Sequence, residues 1–145
     1  MSLMNTYTLE NGVKIPVLGF GTWQTPAGKV ATDAVLAALD AGFTHIDTAE
    51  MYGNEKSIGQ AVKASGIARS DLFITSKLDN QAHTYELATQ ALDRSLSDLQ
   101  TDYLDLFLIH WPNPKAFRDH DWEKHLQETW RALEDAYMAG KVKAI

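Results

Sequence analysis

Strand-sized apolar runs alternate with helix-sized amphipathic stretches along most of this 145-residue chain. The spacing predicts strands over residues 17–22, 43–48, 72–77 and 103–110. It predicts helices over 29–41, 54–64, 84–99 and 122–139, because apolar residues there recur at three- and four-residue steps (Leu87, Ala88, Ala91, Leu92, Leu96 and Leu99 in the third). Gly42, Gly66 and Gly140 stand where the first, second and fourth helices should stop. Residues 142–145 begin a further strand. Strands that are apolar on both faces and separated by helices imply a parallel sheet covered by helices.

Two architectures satisfy that pattern: a doubly wound sheet and a (β/α)8 barrel. A dinucleotide-binding doubly wound fold calls for G-x-G-x-x-G after its first strand. Here Gly19-Phe20-Gly21 is followed by Thr22-Trp23-Gln24, without the third glycine. Ahead of the first unit, residues 6–15 read as a hairpin turning at Asn11-Gly12, with Pro16 ending the pairing. The expected organisation over 1–145 is that hairpin, βα units over 17–140 and the start of a fifth strand over 142–145.

Composition narrows the function classes. A net charge of −6 with no Lys/Arg-rich run argues against nucleic acid or an anionic membrane as partner. The apolar runs are too short for a membrane span. The absence of cysteine removes thiolate metal sites and disulfides. Asp119-His120-Asp121 with His125 is the nearest approach to a metal cluster. Acids at that position, a loop leading into a helix, are expected to cap the helix, so no metal site is assigned. No basic-then-apolar leader is visible, and cytoplasmic residence is the expectation.

The strand ends carry the chemistry. The second predicted strand ends near Asp47, the third at Lys77 and the fourth at His110, with steps of 30 and 33 residues between them. An eight-unit barrel of about 250 residues allots about 31 to each unit, so the three polar residues occupy equivalent places at the carboxyl ends of successive strands. Strands about 4.8 Å apart would bring them within about 10 Å. Tyr52, five residues after Asp47 and followed by Gly53, can fold back over the same rim. Asp47 would pair with Lys77. A phenol ordinarily ionises near pH 10, and a neighbouring ammonium favours its anion. A neutral His110 could orient a substrate oxygen. The set is a proton donor facing a carbonyl oxygen, with no nucleophile of its own; hydride from a reduced nicotinamide would complete it.

At this point the chain resembles the aldo-keto reductases. The matching stretches are Gly19-Phe20-Gly21-Thr22-Trp23, Ala41-Gly42-Phe43-Thr44-His45-Ile46-Asp47-Thr48-Ala49, Tyr52-Gly53-Asn54-Glu55, Ile74-Thr75-Ser76-Lys77, Leu104 through Pro112, and Gly140 through Ile145. The resemblance implies the first four βα units of a (β/α)8 TIM barrel. It also implies NAD(P)H-dependent reduction of aldehydes or ketones, with NADPH the expected cofactor and NADH the alternative. By the same resemblance Asp47, Tyr52, Lys77 and His110 match the catalytic tetrad, with Tyr52 as general acid. Gly21, Thr22, Trp23 and Asp47 match positions near the nicotinamide, and Trp23, Tyr52, His110 and Trp111 match the walls of the substrate pocket. Asp79 departs from the family, where many members have an aromatic residue two positions after the lysine; it implies a more polar rim.

A complete barrel of about 250 residues is longer than this chain. The expectation is therefore the N-terminal half of a longer barrel, inactive as 145 residues alone. A cofactor-binding homologue without turnover, and a half-barrel that associates through its open sheet edges, are the alternatives.

Overall fold

A computed structural model describes residue 3 and residues 5–145. Its hairpin pairs β1 (Thr6–Thr8) with β2 (Lys14–Pro16) antiparallel. Leu9 N–H donates to Val13 O and Gly12 N–H to Leu9 O, closing a three-residue loop in which Gly12 takes φ 87°. Pro16 is itself the last residue of β2, opposite Thr6, one residue past the expected end of the hairpin. A two-stranded hairpin has only edge strands, where the missing N–H of proline is tolerated.

The main sheet has four parallel strands in the order β3 (Phe20–Gly21), β4 (His45–Asp47), β5 (Phe73–Leu78) and β6 (Leu106–Ile109). Strand order follows chain order without reversal. A doubly wound sheet reverses at its switch point, so the order decides between the two architectures that the alternation left open. Helices α1 (Lys29–Asp40), α2 (Glu55–Ser65), α3 (Tyr85–Leu99) and α4 (Trp122–Met138) follow β3, β4, β5 and β6 in turn, each packing on the next.

The core lies between strands and helices. Ile46, Ile58, Ile74, Leu78, Leu99, Leu104, Phe107 and Leu133 are among its fully buried side chains. Gly59 lets α2 press directly on α3: a Cβ there would stand 2.6 Å from Asp98 O. α3 begins with a capping bond, Leu87 N–H to Thr84 Oγ1 at 3.2 Å. α4 lacks the expected one. Asp121 holds the N-cap position with a left-handed backbone, φ 47°, instead of the extended one usual for a capping residue, and its carboxylate makes no capping bond.

The predicted strands are longer than the observed ones at their starts. In the fourth, pairing begins before β6 but is shared with side chains. Asp105 Oδ2 accepts the Ile74 N–H at 3.0 Å and pairs with Arg69 at 2.8 Å, while Oδ1 takes Lys143 at 3.0 Å. The Tyr103 ring lies between the Arg69 and Lys143 cations, 4.2 and 4.1 Å from its centroid. Beyond α4, Val142 makes an isolated parallel bridge to Leu104, and Phe107 N–H donates to Ala144 O.

Candidate active site

The strand register explains how distant residues converge. Asp47 on β4 is opposite Thr75, and Lys77 on β5 is opposite Leu108. Lys77 is thus two residues beyond the partner of Asp47, and His110 two beyond the partner of Lys77. A two-residue step preserves the face of a strand, so the three side chains project from one concave face, each about 6.6 Å further along its strand. Such a stagger is what tilted barrel strands produce.

Lys77 is the hub. Its Nζ donates to Asp47 Oδ1 at 2.5 Å, to Thr48 O at 3.0 Å and to Tyr52 Oη at 3.4 Å. Three acceptors match the three protons of an ammonium. Since the phenol oxygen accepts from Lys77, its own proton is free for another acceptor. Tyr52 reaches this place from a single 3-10 turn, Glu50–Tyr52, closed by Gly53 at φ 66°. The Tyr52 and His110 rings meet edge to face, with centroids 5.8 Å apart at 80°. Burial, then the Lys77 charge, holds the imidazole below its usual ionisation range. Both effects favour its neutral form, and its Nδ1 is buried without a partner.

The other candidates surround this group unevenly. Gly21 ends β3 opposite Asp47, with open space where a Cβ would point. Thr22 is fully buried. Its N–H donates to Asp47 O, and its hydroxyl lies 3.2 Å from Asp47 O and 2.9 Å from Thr48 Oγ1. It shapes this corner from beneath the surface. Trp23 and Trp111 are 68% and 52% exposed. Asp79 Oδ1 accepts the Gln81 N–H, and its charge acts on His110. Among the described residues no group of three or more His, Asp or Glu could hold a metal, and no helix is long and apolar enough to cross a membrane.

Two residues next to Tyr52 carry weight that sequence reasoning did not assign. Asn54 Nδ2 donates to Thr22 O and Thr25 O at 2.9 and 3.0 Å, and its Oδ1 accepts from Thr48. Glu55, 4% exposed, accepts from Ser76 Oγ at 2.5 Å and Ser95 Oγ at 2.9 Å. Burial raises its carboxyl to about 7, against the two serine bonds, with the Glu50 and Asp98 charges adding to the rise. In sequence, an acid in a first helical turn reads as a partner for the helix dipole; nothing local reveals that it is buried.

Comparison with known proteins gives one consistent result. Residues 17–145 match the Aldo/keto reductase family. The chain is 46% identical to a glyoxal reductase of Bacillus subtilis over 144 residues, covering 99% of this chain and 49% of that protein. It is 42% identical to a 9,11-endoperoxide prostaglandin H2 reductase of Trypanosoma cruzi, covering 97% of this chain and 47% of the relative. Among solved structures, an aldo/keto reductase of Brucella melitensis superposes with a TM-score of 0.88 at 45% identity, over 99% of this chain and 51% of that one. A Bombyx mori aldo-keto reductase in complex with NADP superposes at 0.84 with 33% identity, over 99% and 50%. The chain spans about half the length of the curated relatives it matches.

Proposed function

The chain belongs to the aldo/keto reductase family, an oxidoreductase family, and we propose that it supplies the proton-donating half of an NAD(P)H-dependent reductase of small aldehydes or ketones. Its four βα units correspond to about half of the (β/α)8 barrels it superposes on. The observation that carries the reading is the Lys77 ammonium held between Asp47 and the Tyr52 hydroxyl.

In this reading Tyr52 Oη gives its proton to the carbonyl oxygen as negative charge develops there. Lys77 faces the phenol oxygen and stabilises the charge left behind. Asp47 keeps Lys77 charged and aimed. His110, neutral, has one N–H to donate and fixes the carbonyl oxygen against Tyr52. Gly21, Thr22, Trp23 and Asp47 form the side on which a nicotinamide would be held; the open space at Gly21 beside a carboxylate suits a flat ring with a ribose attached. When bound, the reduced nicotinamide supplies the hydride that attacks the carbonyl carbon. NADPH is the proposed form, supported by the NADP complex of the Bombyx relative. Trp23 and Trp111, exposed at the rim, are proposed as substrate-pocket walls. Asp79, whose charge acts on His110, favours polar substrates over very apolar ones.

Two assays test this. A mass-verified 16.1 kDa chain is expected not to reduce aldehydes with NADPH, because the rest of the cofactor site lies in the half of the relatives it does not cover. Joined to the second half of a relative, the wild-type sequence should reduce them, and Tyr52→Phe should lower kcat by about 100-fold or more. A wild-type rate in Tyr52→Phe would refute the acid assignment.

Self-association is a second reading, favoured by one feature. A groove of roughly 790 Å³ runs along Leu106, Leu108, Ala144 and Ile145 to Tyr137 and Met138, beside the open edge of the sheet. Light scattering would show a defined dimer if the edge pairs with another copy, and a monomer if it does not.

A further inference from the structure

Glu55 is a buried acid for which the proposed reaction has no use. It stands at the start of α2, three residues after Tyr52, and it reaches across the back of the sheet. One carboxylate oxygen takes Ser76 on β5, the residue immediately before Lys77; the other takes Ser95 on α3. Ser76 and Lys77 project to opposite faces, as neighbours on a strand must. The carboxyl therefore joins, from behind, the helix start that follows Tyr52 to the strand segment that carries Lys77.

We propose that Glu55 is a positioning residue, a three-way bridge between α2, β5 and α3 that sets the separation of the Tyr52 phenol and the Lys77 ammonium. The inference rests on the reading of those two groups given above. An apolar side chain would fill the same space and leave the register of α2 against β5 to general packing. A carboxyl with both oxygens engaged specifies one arrangement, because a partly satisfied buried polar group is strongly disfavoured. Asn54 does the corresponding work on the other side, tying the same helix start to Thr22, Thr25 and Thr48. Between them the phenol is located against both neighbouring strands. Burial disfavours the ionised form of Glu55, so the arrangement works against stability above neutral pH. Retaining such a group is explained by geometry and not by stability.

The test needs no turnover, so its failure is separable from failure of the reductase reading. The Lys77 side chain is only 15% exposed, whereas that of Lys124, on α4, is 72% exposed. Reductive methylation of the 145-residue chain, read by peptide mass spectrometry, gives the Lys77 rate relative to Lys124. Glu55→Ala is expected to raise that ratio about tenfold, as loss of two hydrogen bonds to one buried carboxyl implies. Glu55→Gln, which can still bond both serines, should restore the wild-type ratio. Leu133→Ala, a cavity variant on α4 that lowers Tm, controls for general loosening and should leave the ratio unchanged. If Glu55→Ala does not fold, Ser76→Ala removes the tie to β5 alone and should raise the ratio. A wild-type ratio in the folded Glu55→Ala or Ser76→Ala chain, or an equal rise in Leu133→Ala, would overturn the proposal.

Discussion

Lys77 places its Nζ 2.5 Å from Asp47 Oδ1 although the two residues are not partners in the sheet: Asp47 is opposite Thr75. The long lysine side chain closes a two-residue offset that the tilt of the strands creates. The pair is at the rim, with the carboxylate 36% exposed and the ammonium side chain 15%. Lys77→Met is therefore expected to change unfolding free energy by only about 1 kcal/mol in urea titrations. In the joined, complete enzyme it should lower carbonyl reduction by about 100-fold or more. Lys77→Arg should not restore it, since a planar fork cannot aim three donors at Asp47, Thr48 O and Tyr52. Wild-type turnover in Lys77→Met would remove Lys77 from the mechanism, and in Lys77→Arg would show that charge alone suffices.

Glu55 makes stability depend on pH with a definite sign. Its folded-state value, about 7, exceeds the unfolded value of 4.5. Between these the folded chain binds more protons than the unfolded one. Its contribution is fully present below about pH 4.5 and is lost as pH rises through 7. The loss amounts to about 3 kcal/mol. Urea unfolding from pH 5 to pH 8 should show most of that decline in the wild type, and Glu55→Gln should flatten it and be the more stable at pH 8. Parallel curves for the two proteins would rule out Glu55 as the source.

Gly59 is required by contact and not by backbone angle. A methyl group there meets backbone atoms Asp98 O and Leu99 C at 2.6 and 2.7 Å, which cannot swing aside. Gly59→Ala, a change that favours an isolated helix, should instead destabilise this protein by about 1–3 kcal/mol as α2 is pushed from α3. Thermal unfolding decides the sign, and a higher Tm would show that the helices have room to part.

Asp105 joins Arg69, Lys143 and the Ile74 amide while only 4% exposed. Removing it leaves two cations without their carboxylate at the end of the sheet remote from the site. Asp105→Ala is expected to cost about 3–5 kcal/mol, with the amide of Ile74 losing hydrogen-exchange protection first. A cost under about 1 kcal/mol would mean that solvent replaces the carboxylate readily.

The sequence alone determined the order of elements and the identity of the tetrad candidates. Periodicity is a local property, and a parallel sheet built from repeating units puts the residues that end its strands on one rim; Asp47, Lys77 and His110 could be paired on spacing alone. Tertiary structure decided what depends on distance and burial. It fixed the sequential strand order that excludes a doubly wound sheet, and it directed the three protons of Lys77 to Asp47, Thr48 and Tyr52. It buried Thr22, left Trp23 exposed, denied Asp121 its cap, and turned Glu55 from an ordinary helix-start acid into a bridge behind the sheet. The division has one physical cause. Chain spacing sets which face a side chain occupies, but solvation and partners come from segments tens of residues away, and those set its charge, its donors and its chemistry.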